Sequence, residues 1–208
     1  MLWTTSCGGC GVQGLGGLCA RCRINAPIDL PVEVEFASAV WSINVYDSGL
    51  GNAVRRCKGG PDRGLGLLIA QHLALSVRAV PLDLSSVTMV TWAPSPWNRR
   101  ARRGFNLAAM LAHGVSRRLR VPLVSTLSIT SGRRQAQSSA AERGTNLKGR
   151  VRCARPLNGA VLLVDDVVTT GATIDACARE LLGAGATGVV GITCCYVVAK
   201  ENALVVGL

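Results

Sequence analysis

Residues 161–173 read VLLVDDVVTTGAT: an apolar run, two adjacent aspartates, Asp165 and Asp166, and then a Thr/Gly stretch. The chain has 23 Lys+Arg and only 12 Asp+Glu. Neighbouring like charges repel unless something in front of them needs both. A metal ion or a sugar diol would need both; a solvated loop or a helix cap would simply tolerate them. The stretch that follows supplies the opposite chemistry. Thr169, Thr170 and Thr173 bring hydroxyls, Gly171 leaves room for close approach, and a helix starting near Thr173 would offer free backbone N–H groups. Such a turn cradles a phosphate dianion. Diol acceptors followed at once by phosphate donors are what a ribose 5-phosphate requires. A Mg²⁺ ion there would arrive mainly with the ligand, because Mg²⁺ keeps water and phosphate oxygens as partners.

A second constellation lies at the start. Cys7 and Cys10, then Cys19 and Cys22, form two C-x-x-C knuckles separated by eight residues. Four thiolates at that spacing suit a tetrahedral Zn²⁺ site. The glycine pairs at 8–9 and 16–17 permit tight turns around an ion. A stretch so poor in apolar residues needs the metal in order to fold. A redox dithiol or a pair of disulfides is the alternative.

The rest of the chain must position these groups. With 49% hydrophobic and 17% charged residues, the 208-residue chain has ample material for one packed domain plus a small appendage. Only 4% of residues are aromatic, so the core must be built from Val, Leu, Ile and Ala. No apolar run is long enough to span a membrane, and MLWTTSCGGC carries no export signal. The expected location is therefore the cytoplasm, where the nine cysteines stay reduced.

Hydrophobic spacing sets the elements. Residues 32–47 read as one or two strands, and 85–96 as a β-rich run ended by prolines. Leu65, Leu68, Ile69, His72 and Leu73 form a helical stripe, as do Leu107, Met110, Leu111, Val115 and Leu119, and Ile174, Cys177, Ala178, Leu181 and Leu182. VPLVSTL, AVLLVDD and VVGITCCYVV are strand-like. Alternating strands and helices predict an α/β fold with a doubly wound parallel sheet, which buries both faces of near-continuous apolar strands. Ligands then sit beyond the carboxyl ends of the strands, where Asp165 and Asp166 are expected. A phosphoacceptor receiver domain also opens on an acidic pair, but it needs most of its length after the pair, and 42 residues follow Asp166 here. His72 reads as a core or boundary residue, and Cys177, Cys194 and Cys195 as small buried hydrophobes. Cys57 and Cys153 suggest no role.

Residues 161–173 resemble the thirteen-residue phosphoribosyl pyrophosphate (PRPP) motif of type I phosphoribosyltransferases. RRARRGFNLAAMLA and QAQSSAAERGTNLKG resemble the further blocks of the ComF (competence protein F) family, in which a Cys₄ zinc finger precedes a phosphoribosyltransferase-like domain. The departures are TWAPSP at a strand end, Leu107 after Gly-Phe-Asn, and LSITSG ahead of Arg133. The resemblance implies a zinc ribbon over 1–26 and a phosphoribosyltransferase-like domain over 27–208, with a hood from residues 27–45 and the C-terminus receiving an acceptor. Asp165 and Asp166 would hold the ribose, and Thr169, Thr170, Gly171, Ala172 and Thr173 the 5-phosphate.

Displacing pyrophosphate from the anomeric carbon asks the protein to orient the ribose and neutralise the leaving group. The cations available are Lys58, Arg99, Arg100, Arg102, Arg103, Arg133, Arg134 and Arg143, with Lys58 and Arg103 assigned to catalysis beside the aspartates and Arg99 and Arg100 to substrate. The resemblance and a net charge of +11 also point to single-stranded DNA as an alternative partner, with Trp97 and Phe105 beside the arginines. A protein partner or a second copy is the remaining expectation.

Overall fold

The computed structural model describes residues 6–13, 17–23, 27–29, 34–81, 83–95, 103–129 and 150–198. Its main sheet contains β1 (Ile28–Asp29), β2 (Ala39–Ser42), β3 (Val87–Trp92), β6 (Ala160–Val168) and β7 (Gly188–Tyr196), in the order β1-β2-β7-β6-β3. β2, β7, β6 and β3 run parallel, and β1 is an antiparallel edge. A separate antiparallel pair joins β4 (Leu127–Ile129) to β5 (Val151–Cys153). Among the described residues, four α-helices complete the framework: α1 (Gly49–Gly59), α2 (Arg63–Ser76), α3 (Leu107–Leu119) and α4 (Ala172–Gly183).

The predicted architecture is present because the central strands are apolar on both sides. Leu162 and Val164 of β6 pack with α1, α2 and α3, whereas Val161 and Leu163 pack with α4 and the β4–β5 pair. The core is aliphatic as the composition requires; Tyr196 is the one aromatic among the largest fully buried side chains described. Cysteines 177, 194 and 195 are buried within it. Cys57 is buried too, on α1, and burial with nearby Asp62 pushes its thiol up to about 11.

Helix ends follow local chemistry. The Ser48 hydroxyl accepts from the Gly51 N–H, and an Asp62 oxygen accepts from the Leu65 N–H, so α1 and α2 are separate capped helices around Gly60-Pro61. Asn106 caps α3 in the same way, through the Ala109 N–H.

Two expectations are corrected. VPLVSTL does not form a continuous strand: Leu123 makes an isolated bridge to Val90, and β4 begins only at Leu127, because Pro122 cannot donate to a ladder. The strand expected to end on the acidic pair runs on past it to Val168, since β7 extends far enough to pair Asp165 with Thr193 and Val168 with Tyr196.

His72 fits the core reading, 6% exposed on α2 with its Nε2 lacking a partner. Burial, helped by Arg23, lowers its pKa below 6.5. Unfolded chains therefore take up the proton first as pH falls. The stability contribution is present above about pH 6.5 and lost as pH drops through the folded value, with a slope of at most about 1.4 kcal/mol per pH unit. Denaturant titrations between pH 7.5 and 5 should show this loss in the wild type, and His72→Gln should flatten it.

Candidate functional site

The structure brings Asp166, Lys58 and Arg103 together from three distant parts of the sequence. Lys58, in the last turn of α1, places its Nζ 2.8 Å from Asp166 Oδ1. Both side chains are largely buried, 27% and 14% exposed, so this pair is screened far less than a surface ion pair. Arg103 is 8% exposed, and its Nε donates to the Lys58 carbonyl at 2.9 Å. Arg103 thus holds the end of α1 that carries Lys58. Asp165 Oδ1 accepts from the Asp166 N–H at 2.7 Å.

The alternation of faces changes phase at the acidic pair. Val164 and Val167 both pack on the α1–α3 side, although strict alternation would place residues three apart on opposite faces. In β7, opposite them, the consecutive Cys194 and Cys195 both lie on that same side, and Tyr196 on the other.

Beyond β6, Thr169 and Thr170 are exposed and Gly171 is buried at the N-cap of α4 with φ 79°. That left-handed conformation is one a side chain at 171 would strain. Gly171 supplies no side-chain cap. The Ala172 N–H has only a long contact, 3.4 Å, to the Thr170 hydroxyl. Among the described residues, the N-cap of α4 thus makes no side-chain cap hydrogen bond. Thr173 is half-buried in the same first turn. Arg99, Arg100, Arg102, Arg133, Arg134, Arg143 and Trp97 lie outside the described residues.

Sequence reasoning missed Asp175. Its Oδ1 accepts the Glu35 N–H at 2.7 Å and the Phe36 N–H at 2.9 Å, tying the segment before β2 to the first turn of α4. Its separation from Glu35 by 140 residues leaves no signal in the chain. Asp175→Ala should remove both bonds and cost about 1 kcal/mol in denaturant unfolding, since water can reach the exposed Glu35 N–H.

At the N-terminus, the Sγ atoms of Cys7, Cys10, Cys19 and Cys22 all lie within 4.8 Å of one another. Zn–S bonds of about 2.3 Å in a tetrahedron place sulfurs about 3.8 Å apart. Cys10 and Cys19 are 3.7 Å apart, too far for a disulfide and right for two ligands of one ion. Knuckle N–H groups already serve the sulfurs: those of Cys19 and Gly9 approach Cys7 Sγ at 3.2 and 3.4 Å. Burial opposes ionisation of Cys7, but N–H groups of Cys19, Cys10 and Gly9 outweigh it and draw the thiol down to about 6. Burial and the neighbouring thiols push Cys22 upward. Four sulfurs at this spacing fit zinc. Among the described residues, no helix is long and apolar enough to cross a membrane.

Residues 105–205 match the phosphoribosyl transferase domain. The DNA utilization protein YhgH of Escherichia coli K12 is 41% identical over 98 residues, 45% of this chain and 43% of that protein. Its counterpart from Salmonella typhimurium is 34% identical over 132 residues, 60% of this chain and 56% of that protein. The chain thus spans about half the length of the curated relatives it matches. Among solved structures, the glutamine phosphoribosylpyrophosphate (PRPP) amidotransferase from B. subtilis aligns at TM-score 0.41 with 19% identity, covering 85% of this chain and 31% of that one. A hypoxanthine phosphoribosyltransferase from Staphylococcus aureus aligns at TM-score 0.37 with 16% identity, covering 61% and 62%. The chain thus carries, over residues 105–205, a match to the phosphoribosyl transferase domain, set on a parallel sheet behind a four-cysteine cluster, and about half of it is homologous to the YhgH proteins.

Proposed function

We propose that this protein binds PRPP, or a related ribose 5-phosphate, at the C-terminal end of β6, and transfers the phosphoribosyl group to an acceptor. The observation that carries the reading is the continuity of acidic pair, Gly171 turn and uncapped α4 within one stretch of chain. Asp165 and Asp166 would accept hydrogen bonds from the ribose hydroxyls. The backbone of Gly171, Ala172 and Thr173, with the Thr169 and Thr170 hydroxyls, would take the 5-phosphate. Lys58 pairs with Asp166 while the ribose is absent, and it would shift to a leaving pyrophosphate, with Arg99 and Arg100 as further cations. Mg²⁺ would enter with the pyrophosphate. Zinc would hold residues 1–26 together ahead of a domain over 27–208.

Calorimetric titration of the zinc-loaded protein with PRPP and Mg²⁺ tests this reading. Saturable binding is expected in the wild type, and at least about a hundredfold loss in Asp165→Asn/Asp166→Asn, since a site built to pair hydroxyls discriminates steeply once its partners are changed. No heat from a folded wild-type sample would reject it.

A second reading follows from the relatives, which are DNA utilization proteins, and from the net charge of +11. In it the chain binds single-stranded DNA through phosphate contacts and uses the ribose-phosphate pocket as a sensor. Binding to an oligonucleotide that weakens steeply between 50 and 200 mM salt would support it. An oligonucleotide that fails to bind at low salt would remove it.

A further inference from the structure

The cysteine cluster and the acidic pair meet the same helix. At its start, α1 lies against the cluster so closely that a Cβ at Gly49 would fall 2.2 Å from Cys22 Sγ, and one at Gly9 would fall 2.4 Å from the Gly49 carbonyl oxygen. Along its length, Leu50, Ala53, Val54 and Cys57 are fully buried in the same core cluster as Cys7, Leu18 and Cys22. Near its end, the Arg56 guanidinium donates to the Gly8 carbonyl at 3.0 Å. Two residues later, Lys58 reaches Asp166, and its carbonyl receives Arg103. Eleven residues of helix, about 16 Å long, therefore join the four sulfurs to the carboxylate.

We infer that α1 is a positioning element through which the metal-loaded cysteine lobe fixes Lys58 on Asp166, so that zinc and ribose phosphate bind cooperatively. The cause is packing rather than charge. The lobe has few apolar side chains of its own, and without the metal its sulfurs lose their common partner. Cys7, Leu18 and Cys22 then leave the core, and one long side of α1 loses its cover. Lys58 depends on the register of that helix, because its partner Asp166 is fixed in the central strand. Coupling of this kind is reciprocal: whatever zinc does for the ligand, the ligand does for zinc. Arg56 is a positioning residue in this scheme and touches neither metal nor ligand.

The ligand half of this inference rests on the ribose-phosphate reading, so the test has two arms. The first uses no ligand. Hydrogen exchange is followed in the full chain, zinc-loaded and zinc-stripped, with α4 as an internal reference. The expected result is at least tenfold faster exchange in α1 on zinc removal, with α4 unchanged, and a smaller acceleration confined to the end of α1 in zinc-loaded Arg56→Ala. Unchanged α1, or equal acceleration of α1 and α4, would overturn the inference; the second outcome would mean global unfolding.

The second arm measures zinc release to a chromogenic chelator with and without PRPP and Mg²⁺. Release should slow about tenfold in the wild type, a typical coupling factor. It should be unaffected by the ligand in Lys58→Ala. Bound PRPP that leaves zinc release unchanged would overturn the cooperativity. If calorimetry finds no PRPP binding at all, the ribose-phosphate reading fails instead, and the exchange arm alone decides whether α1 is governed by the metal.

Discussion

Cys22→Ser is expected to abolish stoichiometric zinc binding and to lower the unfolding midpoint by roughly 10 °C, equivalent to about 3–5 kcal/mol for a chain of this size. Serine is a poor zinc ligand, and the position is 3% exposed, wedged beneath α1 at Gly49. Three thiolates bind zinc more weakly than four, and binding energy here is folding energy. Losing the metal uncovers more than the lobe itself. Leu50 and Leu65, fully or nearly fully buried in the wild type, lie in the same core as Leu18 and Cys22. Metal content by elemental analysis and thermal unfolding followed by circular dichroism check both parts. Cys153→Ser, half-exposed and remote in sequence from the cluster, serves as the control and should change the midpoint by less than about 2 °C. A Cys22→Ser protein that retains full zinc and full stability would show that the four sulfurs do not act as one site.

Gly51→Ala should be nearly as severe for a reason that has nothing to do with metal. A Cβ there would lie 1.8 Å from the Tyr46 carbonyl oxygen and 2.5 Å from its carbon. Backbone can yield only by moving, and this backbone is held: the Tyr46 N–H donates to the Tyr196 carbonyl at 2.7 Å, and the Tyr196 N–H to the Asn44 carbonyl at 2.9 Å. Either α1 lifts from the sheet or the Tyr46 segment leaves β7. Overpacking against fixed atoms costs about 3 kcal/mol or more. Gly59→Ala, eight positions along the same helix, meets nothing within 4 Å. There the same methyl should stabilise by about 0.5–1 kcal/mol, through the unfolded chain's lost freedom. Urea denaturation of the two variants would give shifts of opposite sign. Similar shifts would mean that α1 is not seated as described.

How much of this could be read from the chain alone depends on how local each feature is. The acidic pair, the Thr/Gly turn and the helix after it are contiguous, so hydrophobic run, charge and turn chemistry reveal them together. The cysteine knuckles are legible for the same reason, since metal geometry is written in short spacings. The doubly wound sheet follows from strands that are apolar on both faces, a property of composition along each strand.

What only the tertiary structure decided are relations between residues far apart. Lys58 is one cation among many in the sequence; its pairing with Asp166 across 108 residues exists because α1 packs against β7, the strand next to β6. Asp175 looks like an ordinary helix-start acid until the fold brings Glu35 and Phe36 to it. That β6 runs on past the carboxylates to Val168 depends on how far β7 runs beside it. The joining of cysteine lobe and acidic pair through α1 has no local signature at all. Local propensity and spacing act over a few residues, whereas which helix covers which strand end is settled by the packing of the whole core.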